Sequence, residues 1–339
     1  MPWEELEMAT KQKETIQKRN TVDTVAKYFL LIADVLLLLF FGIMRPGFWQ
    51  ISNLMDIVAT AALVGVMGMG ASIVMMVGDM NFGVGAEATL TATMLGWLLG
   101  KGFIHSYVLG VFLALLLIAF MGVIDSYFGV ILGVPAFIAT LAISKINDGI
   151  VTYLTDSKTM FYSSWPASFK YLGQARLGPV PVMALVFILL AVVLWFIMDK
   201  TKLGTYIQAV GNNPNCCKQV GINVRRIKII AFIMCSVVCG FAGILSASKT
   251  NNVMFTLGSG IMMDAMASAM LGATFLRPGR YNIQGTVVAA LLTAIISNGI
   301  TFCGYPDYIK DIINGIILII AVGYIAMTRK EGLPSVKMG

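Results

Sequence analysis

The sequence predicts an all-α fold: a polytopic transmembrane bundle of about ten helices, some broken or short, with a short cytoplasmic helix outside the bilayer. Three observations carry this. Of 339 residues, 58% are hydrophobic and only 12% charged, against roughly 45–50% and about 25% in an ordinary soluble domain. The apolar residues fall into about ten runs of near-spanning length, where about 20 residues are needed to cross the hydrocarbon. All but two of the basic residues, Lys145 and Lys310, sit outside those runs. A mean hydropathy of +0.83 excludes a soluble enzyme, a disordered regulator and a DNA-binding module. The net charge of +7 therefore reads as topological signalling, not as a nucleic-acid footprint.

Taken in order, residues 1–28 are polar and mixed in charge, lack a signal-peptide cleavage site, and are expected to form a cytoplasmic N-terminal tail. Residues 29–328 form the transmembrane domain, with apolar runs at 29–44, 53–77, 84–100, 107–124, 135–154, 180–198, 229–248, 261–275, 284–300 and 309–327. The run at 261–275 is short for a full span. Residues 329–339 form a second cytoplasmic tail. With both termini inside, sixteen basic residues face the cytoplasm and seven the other side, as the positive-inside rule requires. Six of the sixteen (Lys200, Lys202, Lys218, Arg225, Arg226 and Lys228) lie in one segment, 199–228. Within it, Asn213 is placed to cap a helix, Pro214 to start it and Gly221 to stop it. The other long loop, 155–179, carries Phe161, Tyr162, Trp165, Phe169 and Tyr171; such rings favour the membrane interface or cover an entrance.

Few residues offer chemistry. No G-x-x-x-x-G-K-[ST] occurs, so the chain has no phosphate-cradling loop of its own. The five cysteines, with Cys235 and Cys239 four apart on an apolar run, indicate neither a disulfide framework nor a metal site. The single histidine, His105, argues against histidine catalysis. The segment from Val77 to Glu87 breaks an apolar stretch with three glycines and two acids. Such a break is tolerated inside protein or along a watery cavity, as in transporter substrate sites; an ordinary surface turn needs the same residues. Asp79, Asn81, Glu87 and Asp264 are the candidate pathway residues, because a carboxylate in an apolar span is costly unless it faces a cavity or a partner. Lys145 and Asp148, three apart, are expected to pair. Gly96–Gly100 and Gly129–Gly133 have the spacing of close helix crossings.

The order of motifs resembles the permease subunits of the ribose, xylose, arabinose and galactoside class of ABC importers, a family that also includes autoinducer-2 and nucleoside permeases. The resemblance rests on Gly78-Asp79-Met80-Asn81-Phe82-Gly83-Val84-Gly85, on Val134-Pro135-Ala136-Phe137-Ile138-Ala139-Thr140-Leu141, on Thr205 to Asn213 leading to Gly221-Ile222-Asn223-Val224, and on Asp264-Ala265-Met266-Ala267 with Gly285-Thr286. The family's aspartate in the first motif aligns with Asn81, Asp79 stands at a usual glycine, and Asp148 replaces an arginine of the fifth span.

The resemblance implies a multi-pass permease of a bacterial inner or plasma membrane that pairs with itself or a paralogue. It binds no cofactor, leaves ATP and Mg to a separate ATP-binding subunit, and receives its solute from an extracytoplasmic binding protein. Gly211, Asn212, Asn213, Pro214, Lys218, Gly221, Ile222, Arg225 and Arg226 then form the coupling element that docks on the ATPase. The rival reading is an ion-coupled secondary transporter using Asp79, Glu87 or Asp264 as a proton or sodium site. Nothing resembles a nucleophile–base pair, so no catalytic residue is assigned.

Overall fold

The computed structural model describes residues 28–104, 106–161, 167–277, 279–306 and 308–317, with residues 319 and 323. The two tails, His105, Tyr162 and Trp165 lie outside the described residues. Thirteen helices follow in order among those described: α1 (Tyr28–Met44), α2 (Ile51–Met76), α3 (Val84–Gly100), α4 (Tyr107–Ser126), α5 (Ala136–Thr155), α6 (Ala167–Gln174), α7 (Val182–Lys200), α8 (Lys202–Asn212), α9 (Pro214–Gln219), α10 (Val224–Thr250), α11 (Ser259–Gly272), α12 (Ile283–Phe302) and α13 (308–317). The only strands among the described residues are four of two residues each. Each of the ten apolar runs is represented by one helix. Five are long and apolar enough to cross a membrane, including α4 with the wide turn Tyr127–Ile131 that extends it.

Burial sets the layout. The apolar window of α2 is 89% buried, against 22% for α4 and 28% for α7. Helix α2 is therefore the hub, while α4 and α7 turn most of their surface outward to lipid. Alanine and glycine make the hub possible, because small residues let backbones approach where dispersion must hold helices together. Gly65 faces Phe187 of α7, Gly68 faces Ser268 of α11, and Gly70 faces the Cys239 thiol of α10. The same device joins α10 to α3, where Gly243 lies against the Ala88 carbonyl and Gly240 against Thr91. It also joins α11 to α12 through Gly272 and Gly285. The Gly129–Gly133 spacing does not make such a crossing. Gly129 lies within the wide turn after α4, and Gly133, just beyond it, has a φ of +76° with nothing within 4 Å of an added Cβ.

Helices α3 and α11, with 17 and 14 residues, reach only about 25 and 21 Å at 1.5 Å per residue. Irregular segments complete both. After α11 the chain turns through residues 273–277 and 279–282, and Asn282 organises that turn. Its Nδ2 donates toward the carbonyls of Gly272, Phe275 and Arg280, each at 3.1 Å, while Oδ1 accepts from Gly285 N at 2.6 Å to cap α12. These are backbone groups that lipid could not satisfy.

At the end of the bundle away from α8 and α9, the long loop is folded back on the helices. Met160–Phe161 pairs with Asn252–Val253, and α6 buries Phe169 completely against Tyr107 in an edge-to-face contact. Phe169 is therefore a core anchor, and neither an interfacial ring nor a cover over an entrance. Phe161 and Tyr171 remain exposed. Lys145 and Asp148 pair as expected, 3.2 Å apart.

Candidate functional site

Two regions concentrate the polar residues. The first is the end carrying residues 199–228. Two helices form there, not one. Thr201 Oγ1 accepts from Gly204 N to start α8, which buries Ile207 and Val210. Asn213 Oδ1 accepts from Cys216 N at 3.0 Å to cap α9, with Pro214 in its first turn. The chain leaves α9 through Gly221 at a φ of +82°, a left-handed stop that glycine adopts without the Cβ penalty. Asn223 then caps α10 through Arg226 N at 3.1 Å.

Helix α9 is held by one buried side chain, Cys217, and presents Lys218 and a Val220 that is 68% exposed; Arg225 and Arg226 are exposed beside it. Behind it, Gly211 of α8 rests directly on the Met76 carbonyl at the end of α2. Lys228 Nζ lies 2.7 Å from Asp79 Oδ2. A small cavity of about 40 Å³ lined by Met75, Met76, Gln208, Gly211, Asn212, Gly279, Arg280 and Tyr281 marks the same junction. The exposed α8–α9 platform is thus joined, through Gly211 and the Asp79–Lys228 pair, to the break between α2 and α3.

The second region is that break. The segment 77–83 opens at the surface, where Gly78 is exposed, and runs into the bundle. Asn81 is 1% exposed, and its Nδ2 lies 3.6 Å from Cys235 Sγ. Cys235 is eleven residues into α10, about 16 Å along its axis. Helix α3 therefore begins inside the bundle. Asn81 Oδ1 accepts from Gly83 N at 2.7 Å, and Nδ2 donates to Glu87 Oε1 at 3.1 Å. Ser236 Oγ donates to the same oxygen at 3.0 Å. Glu87, in the first turn of α3 and fully buried, sits where the helix dipole favours a negative charge. Asp125 of α4 is a second buried acid neighbouring Glu87.

The four pathway residues thus separate. Asn81 and Glu87 are bonded to each other; Asp79 is turned to Lys228. Asp264 pairs with Lys310 Nζ at 3.1 Å and accepts from Asn314 Nδ2 at 2.6 Å, both on α13. Sequence reasoning missed Ser236, Asp125, Lys228 and Lys310. Asp125, an acid directly after the fourth apolar run, carried a readable signal; Ser236 carried none, because its partner is 149 residues away.

A hub of small-residue helices, two short helices completed by internal turns, and an exposed capped platform together fit a multi-pass membrane transport component. Comparison with known proteins makes this specific. Residues 53–322 match the family described as branched-chain amino acid transport system / permease component, and the chain belongs to that family. The ribose import permease protein of Escherichia coli is 30% identical over 299 residues, covering 86% of this chain and 91% of that protein. The ribose import permease protein of Bacillus subtilis is 27% identical over 319 residues, covering 93% and 98%. The autoinducer 2 import system permease protein of Yersinia enterocolitica is 28% identical over 293 residues, covering 85% and 79%. No solved structure matches the chain.

Proposed function

We propose that the chain is the membrane-spanning subunit of an ATP-driven importer for a monosaccharide or a similar small polar solute. It sits in the bacterial inner or plasma membrane with both termini and residues 199–228 in the cytoplasm. It works as a pair, with itself or a paralogue, on ATP-binding subunits that hold ATP and Mg, and takes its solute from an extracytoplasmic binding protein. The chain itself performs no hydrolysis. Residues 29–328 are the permease domain; 1–28 and 329–339 are cytoplasmic tails. Sugar import is favoured by the two ribose relatives; autoinducer-2 or nucleoside import is the alternative within the family.

The observation that supports this most is the α8–α9 platform. It is basic, capped at both ends, weakly anchored, and in direct contact with the α2–α3 break through Gly211 and Met76. ATP binding in the partner acts on α9. Movement of α9 passes through α8 and the Asp79–Lys228 pair to the segment that starts α3, and ATP supplies the differential affinity that shifts the bundle between two states. Arg225→Glu combined with Arg226→Glu should weaken co-isolation with the ATP-binding subunit by about tenfold, equivalent to about 1.4 kcal/mol, because reversing two charges turns attraction across the docking surface into repulsion. Unchanged co-isolation would remove these residues from the docking surface.

A further inference from the structure

We propose that Cys235, Cys239 and Glu87 form an intramembrane site for a thiophilic divalent cation of the zinc type. The two Sγ atoms are 3.9 Å apart. Zinc–sulfur bonds of about 2.3 Å at a tetrahedral angle place two sulfurs about 3.8 Å apart, whereas a linear two-sulfur ion would need about 4.6 Å. A Glu87 carboxylate oxygen and both sulfurs lie within 4.8 Å of one another. The separation therefore selects a tetrahedral ion that needs further ligands.

Glu87 is arranged to supply a third. Glu87 Oε1 already accepts from Asn81 and Ser236, while Glu87 Oε2 and both oxygens of Asp125 are buried without a donor among the described residues. Glu87 Oε2 thus stands with its hydrogen-bonding capacity unspent beside a thiol pair, a donor set that a thiophilic cation takes. Asn81 plays the orienting part that outer residues play at metal sites, donating both to Glu87 and toward Cys235. The Cys239 thiol donates toward the Met67 carbonyl at 3.6 Å, a bond given up on ligation. The balance is M²⁺ + 2 RSH → M(SR)₂ + 2 H⁺, with both protons leaving to water. The site's net charge is unchanged, which matters where desolvating charge is expensive. Cysteine spacing alone did not reveal this site because the third ligand comes from another helix.

The test uses the full-length chain in detergent, with Cys216→Ser and Cys303→Ser to remove the more accessible thiols, and Cd²⁺ as the probe. The expected result is a thiolate-to-cadmium ultraviolet band saturating at one ion per chain, with two protons released and displacement by Zn²⁺. Cys235→Ser with Cys239→Ser should abolish the band. Asn81→Ala should weaken binding about 10–100-fold, and Glu87→Gln by at least about tenfold. Cd²⁺ should also raise the unfolding temperature of the chain with both thiols intact, a readout that needs no variant at the site. Absence of both band and thermal shift overturns the proposal, as does unchanged affinity in the double-serine chain; unchanged affinity in Glu87→Gln overturns the three-ligand assignment. These readouts report binding by the chain itself and do not depend on its role in transport.

Discussion

Gly243→Val should leave little folded, monodisperse protein in a detergent extract. A side chain at this position would meet the carbonyl, carbon and Cα of Ala88, backbone atoms that no rotamer change can move. The contact is the crossing of α10 and α3, and its loss reaches the core directly. Elsewhere along α10, Gly240 meets Thr91 of α3 and Ile118 of α4, while Gly70 of α2 meets Cys239 and the Cys235 carbonyl. Overpacking of a tight core costs about 1–3 kcal/mol, and displacing a helix from its seam adds to this. The total is a large part of a stability that is itself only about 5–15 kcal/mol. Gly149→Val supplies the control, since nothing lies within 4 Å of an added Cβ there. Size-exclusion profiles and thermal melts should separate the two variants clearly.

Gly221→Pro should abolish ATP-driven uptake while the bundle stays folded. Proline fixes φ near −65° and has no N–H. Gly221 has a φ of +82° and donates to the Lys218 carbonyl at 3.2 Å. The next bond, from Ile222 N to the Cys217 carbonyl at 2.9 Å, completes the stop of α9 and goes with it. The damage is confined to an exposed junction with nothing within 4 Å of an added Cβ, so the core is untouched and the orientation of α9 is lost. Gly221→Asn should retain most activity, because asparagine tolerates the left-handed region. Uptake by Gly221→Pro at the level of the unaltered chain would overturn the coupling role of α9.

Local signals were readable and distant ones were not. Asn213, Pro214 and Gly221 define α9 because a cap acts within three residues of itself. Helix α8 was hidden inside a polar loop, since its apolar residues Ile207 and Val210 are too few to register as a run, although Thr201 marks its start. The break at 77–83 announced itself by its glycines, and its depth did not. That depth depends on Asn81 and Glu87 meeting Cys235 and Ser236, and pairings across some 150 residues have no periodicity to read. Asp79, Glu87 and Asp264 stood out equally as isolated acids. Their partners divide them: Asp79 has Lys228, Asp264 has Lys310, and Glu87 has a second acid.

The energy source of transport tests the central claim most directly. The full chain, reconstituted with an ATP-binding partner and an extracytoplasmic binding protein, should take up labelled ribose, the first solute to try, only when ATP is enclosed on the side of residues 199–228. Uptake should persist when proton and sodium gradients are collapsed. Uptake by the chain alone, driven by an ion gradient and indifferent to ATP, would contradict the account.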